Sequence, residues 1–77
     1  LELSVYPNPT TDYLTLKVDD FETLNFQLID LQGKIIANKK VTNATTIIKM
    51  EELAKALYFL NVTKNNKVVK SFKIIKN

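Results

Sequence analysis

The sequence predicts an all-β fold, an immunoglobulin-like antiparallel β-sandwich of about seven short strands. Three observations point there. Apolar and polar residues alternate at period two in several separate segments, as half-buried strands require. Turn-forming residues punctuate those segments at short intervals. Only Met50 to Lys55 has helical preference, and that stretch is too short for more than a turn or so of helix.

The first strand is predicted over Glu2 to Tyr6. It ends at Pro7-Asn8-Pro9, where two prolines remove ladder donors and push Asn8 toward extended geometry, so a kink is expected before the next strand. Tyr13 to Val18 alternates Leu14, Leu16 and Val18 with Thr15 and Lys17, and Leu24 to Asp30 repeats the pattern with Leu24, Phe26 and Leu28. Asp30-Leu31-Gln32-Gly33 places the only glycine of the chain where a type I turn followed by a left-handed residue needs it. Lys34 to Val41 and Thr45 to Met50 are rich in β-branched residues and read as strands. In Ala56 to Thr63, Tyr58, Leu60 and Val62 share one face while Leu57 and Phe59 occupy the other, which predicts a central strand. Lys64-Asn65-Asn66-Lys67 offers two residues tolerant of positive φ and predicts a tight hairpin into a last strand, Lys67 to Lys76.

That last strand has an awkward phase. Lysines recur at every third position from Lys64 to Lys76, so on a strand they alternate faces, and Lys70 and Lys76 share parity with Phe72 and Ile74. A bulge or an edge position resolves the conflict. Lysine at such a place protects an edge from aggregation, or else makes the strand a docking element.

With 77 residues the chain is one domain, residues 1–77, with a small core. Leu1 in place of an initiator Met leads us to expect a piece cut from a longer protein that ends naturally at Asn77. The absence of His and Cys removes imidazole-based triads, thiol nucleophiles and the usual zinc sites, so the reading is of a non-catalytic domain with no cofactor and no metal. Residues 1–30 hold six acids and one lysine, whereas residues 34–77 hold ten lysines and two acids. Such halves favour pairing of early and late strands. The lack of Arg weighs against nucleic acid, and no apolar run is long enough to insert into a membrane as a helix.

Asp19, Asp20 and Glu22 could gather oxygen ligands for calcium, but without the glycine and spacing of a calcium loop they read as a solvated turn. Glu51 and Glu52 are adjacent and read as first-turn helix residues rather than an acid/base pair. Asn43-Ala44-Thr45 and Asn61-Val62-Thr63 match the glycosylation sequon, and both are read as structural.

Four blocks taken together resemble a known family: Tyr6-Pro7-Asn8-Pro9-Thr10-Thr11-Asp12-Tyr13-Leu14, Leu28-Ile29-Asp30-Leu31-Gln32-Gly33-Lys34, Leu53-Ala54-Lys55-Ala56-Leu57-Tyr58-Phe59-Leu60, and Lys70-Ser71-Phe72-Lys73-Ile74-Ile75-Lys76. They resemble the type A C-terminal sorting domain of the type IX secretion system (Por secretion system) of Bacteroidetes. Ala56 stands where that family usually has glycine. The resemblance implies a secretion signal that directs a cargo through the periplasm and across the outer membrane to the cell surface or medium. Its implied partners are translocon components and a surface sortase that removes the domain. A signal that a translocon can read needs a folded surface or an exposed strand edge. The candidates are the last strand, Lys67 to Lys76, with Lys70, Lys73, Ile75 and Lys76, or the rigid kink Pro7 to Asp12, with Pro7, Asn8 and Pro9, while Asp30, Gly33, Tyr58 and Leu60 are structural. Two other functions compete: a carbohydrate-binding or adhesive accessory module, and a binder of anionic surfaces or nucleic acid through the lysine-rich end.

Overall fold

Seven strands form in the computed structural model, which describes residues 2–77: β1 (Leu3–Tyr6), β2 (Tyr13–Val18), β3 (Leu24–Ile29), β4 (Ile35–Lys40), β5 (Thr45–Lys49), β6 (Ala56–Lys64) and β7 (Lys67–Lys76). They make a three-stranded sheet, β1-β2-β5, facing a four-stranded sheet, β4-β3-β6-β7. Every ladder is antiparallel. The predicted sandwich is therefore present, and strand bounds differ from the predicted ones by one residue at most.

The period-two alternation sets the core. Leu14, Leu16 and Val18 from β2 and Ile48 from β5 meet Leu24, Phe26 and Leu28 from β3, Tyr58, Leu60 and Val62 from β6, and Ile74 from β7. Each large aliphatic side chain so buried contributes about 1.5–3 kcal/mol relative to exposure. β6 lies between β3 and β7, the central position that its two apolar faces predict. The Tyr58 hydroxyl is drawn inward with its ring and donates to Ala54 O at 2.7 Å, a bond of the tyrosine-corner kind that ties the β5–β6 connection to β6. Ala56 is not among the left-handed residues, so a side chain is accommodated there without strain.

The segment after β5 corrects one expectation. Met50 to Lys55 forms no helix; a single bond from Leu53 N to Met50 O closes a turn. Met50 N donates to Asp12 O at 2.8 Å and Ala54 O accepts from Tyr58, which pins the turn at both ends. Glu51 and Glu52 are consequently exposed turn residues rather than helix-start residues. β7 resolves its phase in both predicted ways, for it is an edge strand with a register shift opposite Val62 and Thr63.

The turns follow their chemistry. Gly33 has φ +84, its N–H donates to Asp30 O, and the Asp30 carboxylate accepts from Gln32 N and Lys34 N at 2.9 Å each. Asn65 and Asn66 both take positive φ in the β6–β7 hairpin. Thr23 is the residue that turn chemistry alone does not indicate: its φ of 65 places a β-branched residue at the third position of the turn that Leu24 N closes onto Phe21 O. Asp19 turns toward β1, where its Oδ1 accepts from Glu2 N at 2.9 Å. That bond holds its carboxyl below the ordinary carboxylate value, so the tie is present above the ordinary range and lost as pH falls through the lowered value.

These turns predict opposite effects at two positions. Nothing lies within 4 Å of a Cβ built on Gly33, so Gly33→Val costs only backbone strain, about 1 kcal/mol or more, and should lower the urea midpoint. Thr23→Gly removes the same kind of strain but frees the unfolded chain, so it should raise the midpoint by a smaller amount. Equal midpoints for wild type and both variants would contradict the turn assignments.

Candidate functional site

The two segments that the sequence singled out for recognition, the Pro-Asn-Pro kink and the last strand, meet in the fold. Both prolyl bonds, Tyr6-Pro7 and Asn8-Pro9, are cis. Pro7 and Pro9 have no N–H to give a ladder. The Asn8 side chain supplies what they lack: its Nδ2 donates to Lys73 O at 2.7 Å and its Oδ1 accepts from Ile75 N at 2.9 Å. Two residues on, the main chain takes over, with Thr10 N donating to Ile75 O and Asn77 N donating to Thr10 O, both at 2.8 Å.

These four bonds have one geometry. A residue of a parallel strand donates to the carbonyl before its partner and accepts from the amide after it. Thr10 does this about Lys76, forming a parallel bridge, and the Asn8 carboxamide does the same about Ile74. Asn8 thus acts as a substitute peptide group, and residues 8–10 cap the C-terminal half of the β7 edge. Thr10 is buried and its hydroxyl donates to Tyr13 O at 2.6 Å, which anchors the clasp on β2.

Alternation along β7 decides where its side chains go. Lys70, Phe72, Ile74 and Lys76 pair with Val62, Leu60, Tyr58 and Ala56 and lie on the inner side of the sheet. Ile74 is fully buried, and Lys70 Nζ sits 5.8 Å from the Phe72 ring centroid. Lys76 is only 9% exposed, with its Nζ donating to Asn77 O. Lys73 and Ile75 point the other way, outward, beside the clasp. The recognition candidates therefore divide: Asn8, Lys73 and Ile75 come together with Pro7 and Pro9, while Lys70 and Lys76 belong to the opposite face.

The outer face also gathers residues that sequence reasoning did not assign. Ile35 pairs with Ile29, Ile29 with Phe59, and Phe59 with Lys73, while Leu57 pairs with Ile75. An apolar band thus crosses all four strands and ends at the clasp. Ile35 and Ile75 are 50% and 43% exposed. A contiguous apolar area on the solvent side of a sheet marks an interaction surface. The signal in the sequence was the second apolar face of β6, whose cross-strand neighbours only the register reveals.

Asp30, Gly33 and Tyr58 lie in the turn and corner already described, and Leu60 is fully buried. Asp19 is engaged by Glu2 N and Asp20 by Glu22 N, and among the described residues no three acidic side chains group to hold a metal.

The family model described as a secretion system C-terminal sorting domain matches residues 4–77. An ulvan lyase of Nonlabens ulvanivorans is 30% identical over 76 residues, covering 97% of this chain and 14% of the lyase. The chain thus spans about one seventh of that relative's length.

Asn8→Ala removes both side-chain bonds of the clasp. With a net contribution of about 0.5–1.5 kcal/mol for each, it should destabilise the fold by about 1–3 kcal/mol in urea unfolding. Asn43→Ala, at an exposed position whose side chain reaches only Thr42 Oγ1, is the control and should stay within about 0.5 kcal/mol.

Proposed function

The chain belongs to the family of secretion system C-terminal sorting domains, the export signals of type IX secretion, and from that premise we propose which surface is read and how the signal is used. A type IX sorting signal directs export to the cell surface or the extracellular space, and the family is a signal rather than a catalyst. We assign to this domain no chemistry of its own. Its cargo passes through the periplasm, translocon components engage the folded domain, and a surface sortase removes it after passage.

The observation that carries the reading is the clasped edge. Pro7 to Pro9 present a fixed shape, Asn8 and Thr10 lock it to β7, and Lys73 with Ile75 stand beside it at the end of the apolar band. A partner docking there finds apolar area for affinity and one cation for orientation. The main chain offers less. Along the clasped half of β7 the outward groups of Ile75 are already bonded, which confines strand addition to the stretch near Ser71.

A second reading has its own support. Tyr6 and Tyr13 are 45% and 47% exposed and share the outer face of the three-stranded sheet, Tyr6 opposite Thr15 and Tyr13 two residues before it. Neighbouring exposed aromatics suit an accessory carbohydrate platform. Retention on polysaccharide columns that Tyr6→Ala and Tyr13→Ala abolish would favour it, whereas unretained wild-type protein would dismiss it.

The export reading is tested by fusing the domain to a periplasmic reporter in a type IX-competent host. The wild-type fusion should reach the medium or surface. Lys73→Gln with Ile75→Thr should lose most export at an unchanged unfolding midpoint, and Lys70→Gln should retain it. Wild-type failure would reject the sorting role, while normal export of the double variant would reject the surface.

A further inference from the structure

The two sheets are unequal, and the fourth strand of the larger one has nothing opposite it. β4 and β5 are the edge strands on the side of the sandwich away from β7. Between them runs a groove of about 450 Å³, floored by the core residues Phe26, Leu28 and Ile48. β4 overhangs this gap. Its Ala37 and Lys39 lie opposite Leu28 and Phe26 and so face inward, yet only Ala37 is even partly buried. Ile36 on one wall and Ile47 on the other are 36% and 57% exposed.

The charges around the groove have one sign. Lys39, Lys40 and Lys49 line it, and no carboxylate does. The larger hollow at the opposite side, about 740 Å³ between β1 and β7, differs in this respect, since Glu2 and Asp19 share it with Lys17 and Lys70. That hollow selects no charge. The β4–β5 groove sets cations around an apolar floor and walls, the lining that suits an anionic partner with apolar side chains.

We propose that the groove between β4 and β5 takes an extended acidic segment of a partner polypeptide as an added strand on β5, completing the three-stranded sheet opposite β4. Thr45–Lys49 has β2 on one side, so its other edge offers a row of unpaired main-chain groups. A strand placed there points alternate side chains inward onto Phe26, Ile36 and Ile48, where valine or isoleucine would remove them from water. Acidic residues at the remaining positions meet Lys49 on the outside, and one at the mouth meets Lys39. The lysines deter a second copy of β4 or β5 by like-charge repulsion while leaving the groove open to a segment of opposite charge. This surface is separate from the clasp at β7, so its test does not depend on the export reading.

The probe is a capped peptide alternating glutamate and valine, with a lysine-valine peptide of the same length as its counterpart, titrated into isotopically labelled protein. The acidic peptide should shift the amides of Thr45–Lys49 and of Ile36 to Lys40 saturably, and the lysine peptide should leave them unchanged. Lys39→Glu combined with Lys49→Glu should weaken the acidic peptide at least tenfold. Where that double variant unfolds early, the comparison of the two peptides on wild-type protein decides alone. Several results would overturn the proposal: no saturable shift at these amides up to millimolar peptide, shifts centred on Lys70 and Lys73, or equal response to both peptides. Saturation by anionic phospholipid vesicles with no response to the peptide would also overturn it, assigning the lysines to a lipid surface.

Discussion

β1 and β7 belong to different sheets and share no ladder, so the link between the two ends of the chain falls to the hydrogen bonds that Asn8 and Thr10 make with β7. A sandwich of this size has little stability to spare. An edge strand ten residues long, with Ile74 in the core and its other side open, is the element most exposed to fraying. The clasp holds its far end against the first inter-strand connection. Because Thr10 is itself buried and bonded to Tyr13 O, the constraint runs from β7 through residues 8–10 into β2 and joins the sheets along one side.

The same constraint shapes what a partner meets. Where an open edge would offer main-chain groups to any strand, the clasp leaves only a short stretch unoccupied and places Pro7 to Pro9, Lys73 and Ile75 in fixed relation. On the proposed reading, the sorting signal is read while folded and by one machinery only. A rigid corner beside an apolar band meets that need better than a free edge, which pairs with any strand of similar character. The lysine series, which looks uniform along the sequence, contributes unequally: Lys73 stands at the corner, Lys70 lies over Phe72, and Lys76 is held inside.

Much of this was legible in the residues. Alternation of Leu14, Leu16 and Val18, and of Tyr58, Leu60 and Val62, fixes which faces are buried, because side-chain direction in a strand has period two. Asp30 and Gly33 announced their turn for local reasons of φ and side-chain bonding. What stayed hidden was long-range. No local rule says that the carboxamide of Asn8 reaches a carbonyl 65 residues away, or that Ile29, Ile35 and Ile75 line up across four strands with Phe59. The seam between the early and late segments is held not by the opposite charges of the two halves but by hydrogen bonds from an uncharged side chain. Met50 to Lys55, too short for more than a turn or so of helix, settles as a turn whose ends are pinned by Asp12 O and the Tyr58 hydroxyl.

Native-state hydrogen exchange of β7 in the unmodified domain reports directly whether Asn8 closes its edge. Ladder alternation directs the amides of Ser71, Lys73 and Ile75 to the same outer edge, and the clasp bonds only the last of these. With Asn8 holding the edge, exchange should be slow at Ile75, approaching that of β6 core amides, beside fast exchange at Ser71 and Lys73. Equally fast exchange at all three would show that the edge is open and that Asn8 does not hold it.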